Sequence, residues 1–233
     1  MPTRRHALAL LAAGALQWTL VPAAPAQDAA ERPATREGEV AVALLSYADG
    51  TGARCFASHF LDDVARRTQV NVKRDFQSVA LSADNLHEFP FAVLTGEGAF
   101  TLSDGELQRL KTYLERGGFV LASAGCSNAQ WASSFRDAVA RMFPDARLDR
   151  LPGDHPIFST LYQVDGLQMR KGGAHEGLTL AGGEQRGRLA VVFSPEGLND
   201  TAHAGGGCCC CGGNEVRNAP QVNANILLYA LTH

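Results

Sequence analysis

The sequence has no excess of positive charge, because its 21 lysines and arginines are outnumbered by 24 aspartates and glutamates. The formal net charge is therefore −3 at neutral pH. Proteins that bind nucleic acid neutralise phosphates with Lys and Arg, so this composition argues against a nucleic-acid partner. The chain also lacks internal repeats. No stretch beyond the N-terminus is apolar over the roughly 20 residues that a membrane-spanning helix needs.

The N-terminus has the features of a cleavable export signal. Arg4 and Arg5 precede an apolar stretch at residues 7–21, and residues 24–26 read Ala-Pro-Ala, a small-residue cleavage site. An uncleaved membrane anchor is the alternative to a cleaved signal. The apolar stretch is short for such an anchor, because it stops at Pro22. The arginine pair resembles the twin-arginine signal of folded-protein export, although two positive charges also suit an ordinary leader. We expect a periplasmic or otherwise exported protein with no membrane span after cleavage.

Three segments are predicted. Residues 1–26 form the signal peptide, residues 27–38 a flexible linker, and residues 39–233 a single α/β domain. The linker is rich in Ala, Glu, Arg and Pro and shows no apolar periodicity. Hydrophobic residues make up 45% of the chain, which is sufficient for a sizeable core.

Buried strands alternate with helices along the domain. The apolar runs at residues 40–46, 91–95 and 119–122 are typical of strands that are covered on both faces. Ser103 and Glu106 form a capping box that opens a helix. This alternation predicts a doubly wound, mostly parallel sheet with helices on both faces and a C-terminal hairpin. The other predicted elements are helices at residues 56–67, 106–116, 129–143 and 222–231, and strands at 70–74, 178–180 and 189–193.

A loop rich in cysteine and glycine follows the predicted hairpin. Its four consecutive cysteines are Cys208, Cys209, Cys210 and Cys211. Adjacent cysteines pair poorly, since a disulfide needs Cα atoms about 5.5 Å apart. Thiolates favour soft metals, so we predict a copper, zinc or iron–sulfur site here, with Cys126 and His203 as further ligands. Disulfides from this loop, for example to Cys55 and Cys126, are one alternative, and a redox role is another.

Cys126 lies between a predicted buried strand and a predicted helix. A helix N-terminus lowers the pKa of a nearby thiol and thereby favours the nucleophilic thiolate. Open α/β sheets bind ligands at the carboxyl ends of their strands. A nucleophilic cysteine needs a base, for which we select His155, with Glu97 to orient or activate the thiol. His175 and His203 are other candidates for the base. An inert, buried cysteine with a capping role is the alternative.

Several blocks of the sequence resemble a bacterial domain-of-unknown-function family, number 4159 (DUF4159). They are LTGEGAFTLSDGEL at residues 94–107, YLERGGFVLA at 113–122, DHPIF at 154–158, LAVVFSP at 189–195 and NILLYALTH at 225–233. The resemblance implies a class I glutamine amidotransferase-like fold, which is a flavodoxin-type three-layer sandwich. In that group a cysteine at a strand–helix elbow is the nucleophile and has His and Glu partners, and Cys126 occupies the matching place.

Three functions are consistent with these patterns. We expect first an exported protein that binds a soft metal through the cysteine loop. The alternatives are a cysteine-nucleophile hydrolase or amidotransferase-like enzyme built on Cys126, and a noncatalytic domain that binds a ligand or a partner. The sequence identifies no protein partner and leaves open whether the protein is an enzyme.

Overall fold

The computed structural model describes residues 38–48, 56–145, 147–168, 180–200, 203 and 216–233. Within these residues, a seven-stranded sheet forms the centre of the fold. In chain order the strands are β1 (Glu39–Val40), β2 (Val42–Ser46), β3 (Asn71–Val72), β4 (Gln77–Ala80), β5 (Phe91–Gly96), β6 (Phe119–Ala124), β7 (Asp149–Arg150), β8 (Ala181–Gln185) and β9 (Arg188–Ser194). The sheet has the spatial order β4-β2-β5-β6-β9-β8-β7, and β1 pairs with β3 separately.

Five neighbouring strands of the sheet, from β4 to β9 in the spatial order, are parallel. The hairpin β8–β9 and the short β7 add antiparallel pairs at one side. Every residue of β5 and β6 is buried, as expected for parallel strands covered on both faces. The predicted mostly parallel sheet with a C-terminal hairpin is therefore confirmed.

Within the described part of the chain, four α-helices cover the two faces of the sheet. They are α1 (His59–Arg67), α2 (Asp104–Glu115), α3 (Ala129–Met142) and α4 (Ala219–Thr232). Helices α1 and α4 share one apolar cluster with the sheet, and α2 and α3 share the other. The result is the three-layer arrangement that the family resemblance implies.

Two strands of the sheet were not predicted from the sequence. In β4 only Val79 is buried and strongly apolar, whereas Ser78 and Ala80 are exposed and Gln77 is half-buried. Both residues of β7 are exposed. Neither strand has the long apolar run that reveals β5 and β6. Conversely, the strand predicted at residues 70–74 is reduced to β3, which pairs with β1 outside the main sheet.

Several predictions concern residues outside the described part of the chain. They include the export signal, nearly all of the linker and the four consecutive cysteines. Within the described part, no helix combines the length and the apolar character that crossing a membrane requires.

The predicted capping box at the start of α2 is present, and it also contacts the segment that follows β2. The Ser103 hydroxyl accepts a hydrogen bond from the Glu106 N–H, and Glu106 Oε2 accepts one from the Ser103 N–H at 2.8 Å. Glu106 Oε1 accepts a further hydrogen bond from the Ala48 N–H at 2.9 Å. Burial alone would raise the pKa of Glu106, but these hydrogen bonds to its charged form outweigh burial and lower the pKa.

We predict that Glu106→Gln destabilises the fold by about 1 kcal/mol at pH 7, a typical cost of losing a helix cap. Because the folded-state pKa lies below the ordinary value of 4.5, the stabilisation is complete above that value and is lost as pH falls through the folded-state pKa. Urea unfolding of both proteins at pH 7 and pH 3 tests this. A deficit of equal size at the two pH values contradicts it.

Candidate functional site

Three adjacent parallel strands end side by side, and each is followed by a polar or sulfur-bearing residue. Thr95 of β5 pairs in register with Ser123 of β6, which pairs with Ser194 of β9. Glu97 follows the first strand, Cys126 the second and Glu196 the third. The carboxyl edge of the sheet, where open α/β folds bind ligands, therefore brings these segments together.

Cys126 adopts a left-handed backbone conformation between β6 and α3. Its φ and ψ are 53° and 34°, and the φ of Ser127 is 57°. This conformation costs a non-glycine residue roughly 1–2 kcal/mol, and it occurs preferentially at functional sites. The Asn128 Oδ1 then accepts a hydrogen bond from the Trp131 N–H at 2.9 Å and caps α3. We call residues 125–127 the elbow.

The sulfur of Cys126 lies 3.4 Å from Glu97 Oε1. The structure thus brings together two of the three residues that the sequence suggested for a catalytic group. Cys126 is disulfide-bonded, and all other cysteines of the chain are outside the described residues. A disulfide sulfur has no proton to donate, so Cys126 can donate a hydrogen bond to Glu97 only after reduction.

Two glycines allow neighbouring loops to pack closely against the elbow. A Cβ on Gly125 would lie 2.8 Å from the Gly96 carbonyl oxygen, and one on Gly197 would lie 2.1 Å from the Ala124 carbonyl oxygen. The Ser127 hydroxyl donates a hydrogen bond to the backbone carbonyl of Glu196 at 2.7 Å. The loops after β5 and β9 therefore hold the elbow from two sides.

A histidine–aspartate pair follows β9. His203 Nδ1 lies 2.7 Å from Asp200 Oδ2; the Asp200 side chain is 4% exposed and that of His203 45%. The imidazole also stacks on His59, the first residue of α1, with ring centroids 3.8 Å apart. Because Nδ1 faces the carboxylate, Nε2 is the nitrogen that can accept a proton or bind a metal. His203 was predicted as a site residue, whereas the contributions of Asp200 and His59 were not.

His155 lies in a different environment. It begins the short 3₁₀ turn Pro156–Phe158, its Nδ1 accepts the Ile157 N–H at 3.2 Å, and its ring packs against Tyr229 near the end of α4. Burial, and secondarily the nearby His233, lower its pKa. Its described contacts include neither Cys126 nor Glu97, so its role as the base stays a prediction. His175 lies outside the described residues.

Buried polar groups with unmet hydrogen-bonding capacity are concentrated at this edge. Within the described part of the chain, the atoms without a partner include Thr95 Oγ1, Glu196 Oε2, Asn199 Nδ2 and Asn223 Oδ1. Each such group costs about 1–3 kcal/mol of stability. Such a concentration is more typical of a functional site than of a structural core.

The described residues contain no group of three or more His, Cys, Asp or Glu side chains arranged to hold a metal ion. The predicted soft-metal site depends on Cys208, Cys209, Cys210 and Cys211, which lie outside those residues. The metal prediction is therefore untested.

Together these features define a three-layer α/β protein with a cysteine elbow at the carboxyl edge of its parallel strands. The chain belongs to the family described as "Domain of unknown function (DUF4159)", which matches residues 42–231. The family resemblance inferred from the sequence blocks is thereby confirmed. No curated protein matches the chain.

We predict that Gly197→Ala destabilises the protein by about 3 kcal/mol, since the new methyl group meets the Ala124 carbonyl and the φ of +84° is unfavourable for alanine. Gly187→Ala is the matched control, because Gly187 has a φ of +74° but no atom within 4 Å of the position that its new methyl group would take. It should cost about 1 kcal/mol. Equal losses in urea unfolding contradict the close packing at Gly197.

Proposed function

We propose that the protein is an exported cysteine-dependent acyl-transfer enzyme, a hydrolase or an amidotransferase-like enzyme, whose nucleophile is the reduced Cys126. The observation that carries this proposal is the left-handed conformation of Cys126 between a buried strand and a helix N-terminus. A sharp strand–turn–helix junction is the arrangement that exposes the nucleophile in α/β hydrolases. The N-terminus of α3 also favours negative charge on the sulfur.

The segments that follow β5 and β9 supply groups with the chemistry that such a reaction needs. We assign the role of proton acceptor to His203, because its imidazole is oriented by the buried Asp200 in the manner of catalytic histidines. The thiol proton passes to His203 as the sulfur bonds to the acyl carbon. The leaving group takes that proton, and water then hydrolyses the thioester. Glu97, 3.4 Å from the sulfur, orients the thiol.

The disulfide at Cys126 makes the activity dependent on reduction. A sulfur that shares its electrons in an S–S bond is not a nucleophilic thiolate. A dithiol reductant must therefore open the bond before Cys126 can react. This requirement distinguishes the proposal from catalysis by any oxygen nucleophile at the same edge.

We predict that protein reduced with dithiothreitol and freed of reductant reacts with p-nitrophenyl acetate in a burst that acetylates Cys126. The burst should be absent from the oxidised protein and from Cys126→Ser. His203→Gln should slow the burst by about 100-fold or more, a typical contribution of a general base. The burst is followed at 400 nm, and peptide mass spectrometry locates the acetyl group. Acetylation spread evenly over all cysteines contradicts the proposal.

A second function, soft-metal binding, is favoured by the same histidine. Histidines that bind metals usually direct their other ring nitrogen to a carboxylate, as His203 does toward Asp200. His203 also precedes the four consecutive cysteines by only a few residues of sequence. Copper, zinc or an iron–sulfur cluster is the cofactor that such thiolates select.

Elemental analysis of protein purified without added metal tests this second function. We expect a stoichiometric amount of copper, zinc or iron, which is lost when Cys208, Cys209, Cys210 and Cys211 are all replaced by Ser. Asp200→Asn should lower the metal affinity about 10- to 100-fold, the usual effect of removing a carboxylate behind a ligand. Metal-free protein with every thiol oxidised contradicts metal binding. If acylation of Cys126 is absent as well, noncatalytic ligand binding at this edge remains as the third alternative.

A further inference from the structure

Asn223, a buried polar residue on α4, contacts the loop that packs against the cysteine elbow. We infer that Asn223 is a positioning residue for Cys126, and this inference rests on the proposed nucleophilic function. Its Nδ2 donates a hydrogen bond to the Leu198 carbonyl at 3.0 Å, and its side chain is 0% exposed. The residue therefore joins the helix layer to the loop that follows β9.

Leu198 is held at both of its backbone polar groups. Its carbonyl binds Asn223, and its N–H donates to Ser123 Oγ at 2.9 Å. Ser123 is fully buried on β6 and precedes Cys126 by three residues. The Ser123 hydroxyl also contacts Asn199 Oδ1 at 3.5 Å. The loop position is thus fixed from the sheet and from α4 at the same residue.

The two residues before Leu198 transmit this position to the elbow. Gly197 approaches the Ala124 carbonyl and the Cys126 N–H so closely that a side chain would collide with the former. The Glu196 carbonyl accepts the Ser127 hydroxyl at 2.7 Å. Consecutive left-handed residues persist only where the surroundings over-determine the backbone. The loop held by Asn223 supplies that constraint for Cys126 and Ser127.

The choice of asparagine at this position has no explanation in helix packing alone. Most buried positions of α4 are apolar, including Val222, Ala224 and Ile226, and Asn225 is the other buried polar residue of this helix. Asn223 also leaves its Oδ1 without a partner among the described residues, at a cost of about 1–3 kcal/mol. An apolar residue would avoid that cost, whereas only a donor can hold the Leu198 carbonyl.

Asn225 provides a matched control on the same helix. It is 1% exposed, its Oδ1 accepts the N–H groups of Leu161 and Tyr162, and its Nδ2 donates to the Tyr162 carbonyl at 2.8 Å. It therefore makes more hydrogen bonds than Asn223, but it makes them to a segment away from the elbow. Its replacement should destabilise the protein at least as much without altering Cys126.

The test compares Asn223→Leu and Asn225→Leu in the reduced full-length protein. We measure the rate of Cys126 alkylation by iodoacetamide between pH 5 and pH 9 with peptide mapping. Asn223→Leu should lower the alkylation rate at pH 7 about tenfold. A rise of one unit in the pKa of the thiol would lower the thiolate fraction by that factor. Asn225→Leu should stay within about twofold of the wild-type protein. A rate in Asn223→Leu equal to wild type, or an equal fall in both variants, overturns the inference.

Hydrogen exchange at residues 124–128 gives a second readout that does not require a reactive thiol. Asn223→Leu should accelerate exchange there, and Asn225→Leu should not; the absence of this difference overturns the inference. Ser127→Ala, which removes only the hydrogen bond to Glu196, should act in the same direction if Asn223→Leu does not fold. If Cys126 of the wild-type protein is no more reactive than a thiol in the unfolded chain, the proposed function is contradicted. In that case the comparison of hydrogen exchange still decides the positioning role of Asn223.

Discussion

The close approach of Gly197 to the Ala124 carbonyl is the contact on which the candidate site depends, because it joins the ends of β6 and β9 without an intervening side chain. The strand register places Ser123 beside Ser194, so the segments that follow β6 and β9 leave the sheet side by side. The loop after β9 can then cover the elbow and hold Cys126 in its left-handed conformation. With a bulkier residue at Gly197, the elbow and the loop could not occupy these positions together.

The fold was largely predictable because its central strands are covered on both faces. Such strands consist of uninterrupted apolar residues, and β5 and β6 were found by that property. The capping box of Ser103 and Glu106 is equally local, since its two residues lie within one helical turn. By contrast, β4 and β7 lie at the two sides of the sheet and are mostly exposed. Their pairing depends on partners distant in sequence and leaves little local signal.

The candidate site was predicted only in part for the same reason. The proximity of Glu97 and Cys126 follows from the parallel pairing of consecutive strands, which the alternation of strands and helices reveals. The contact between Ser123 and Asn199 spans 76 residues and follows from no local pattern. A weak signal did exist at Asn223, a polar residue between the apolar Val222 and Ala224 in a helix whose buried positions are mostly apolar. Such residues are worth treating as candidates for contacts at a site.

The oxidation state of Cys126 links the two proposed functions to the export that the N-terminal sequence predicts. A thiolate at this position can act as a nucleophile or as a metal ligand, but a disulfide-bonded sulfur can do neither. An oxidising compartment favours the disulfide, so in an exported protein a function through Cys126 would require either reduction after export or protection of the thiols beforehand. Export in a folded state would allow a metal to occupy the cysteine loop before oxidation. Arg4 and Arg5 are therefore relevant to the chemistry. Replacing both with Lys should block export if the signal is of the twin-arginine type. If an ordinary leader then restores export but the exported protein contains no metal, the twin-arginine route is what preserves the thiols.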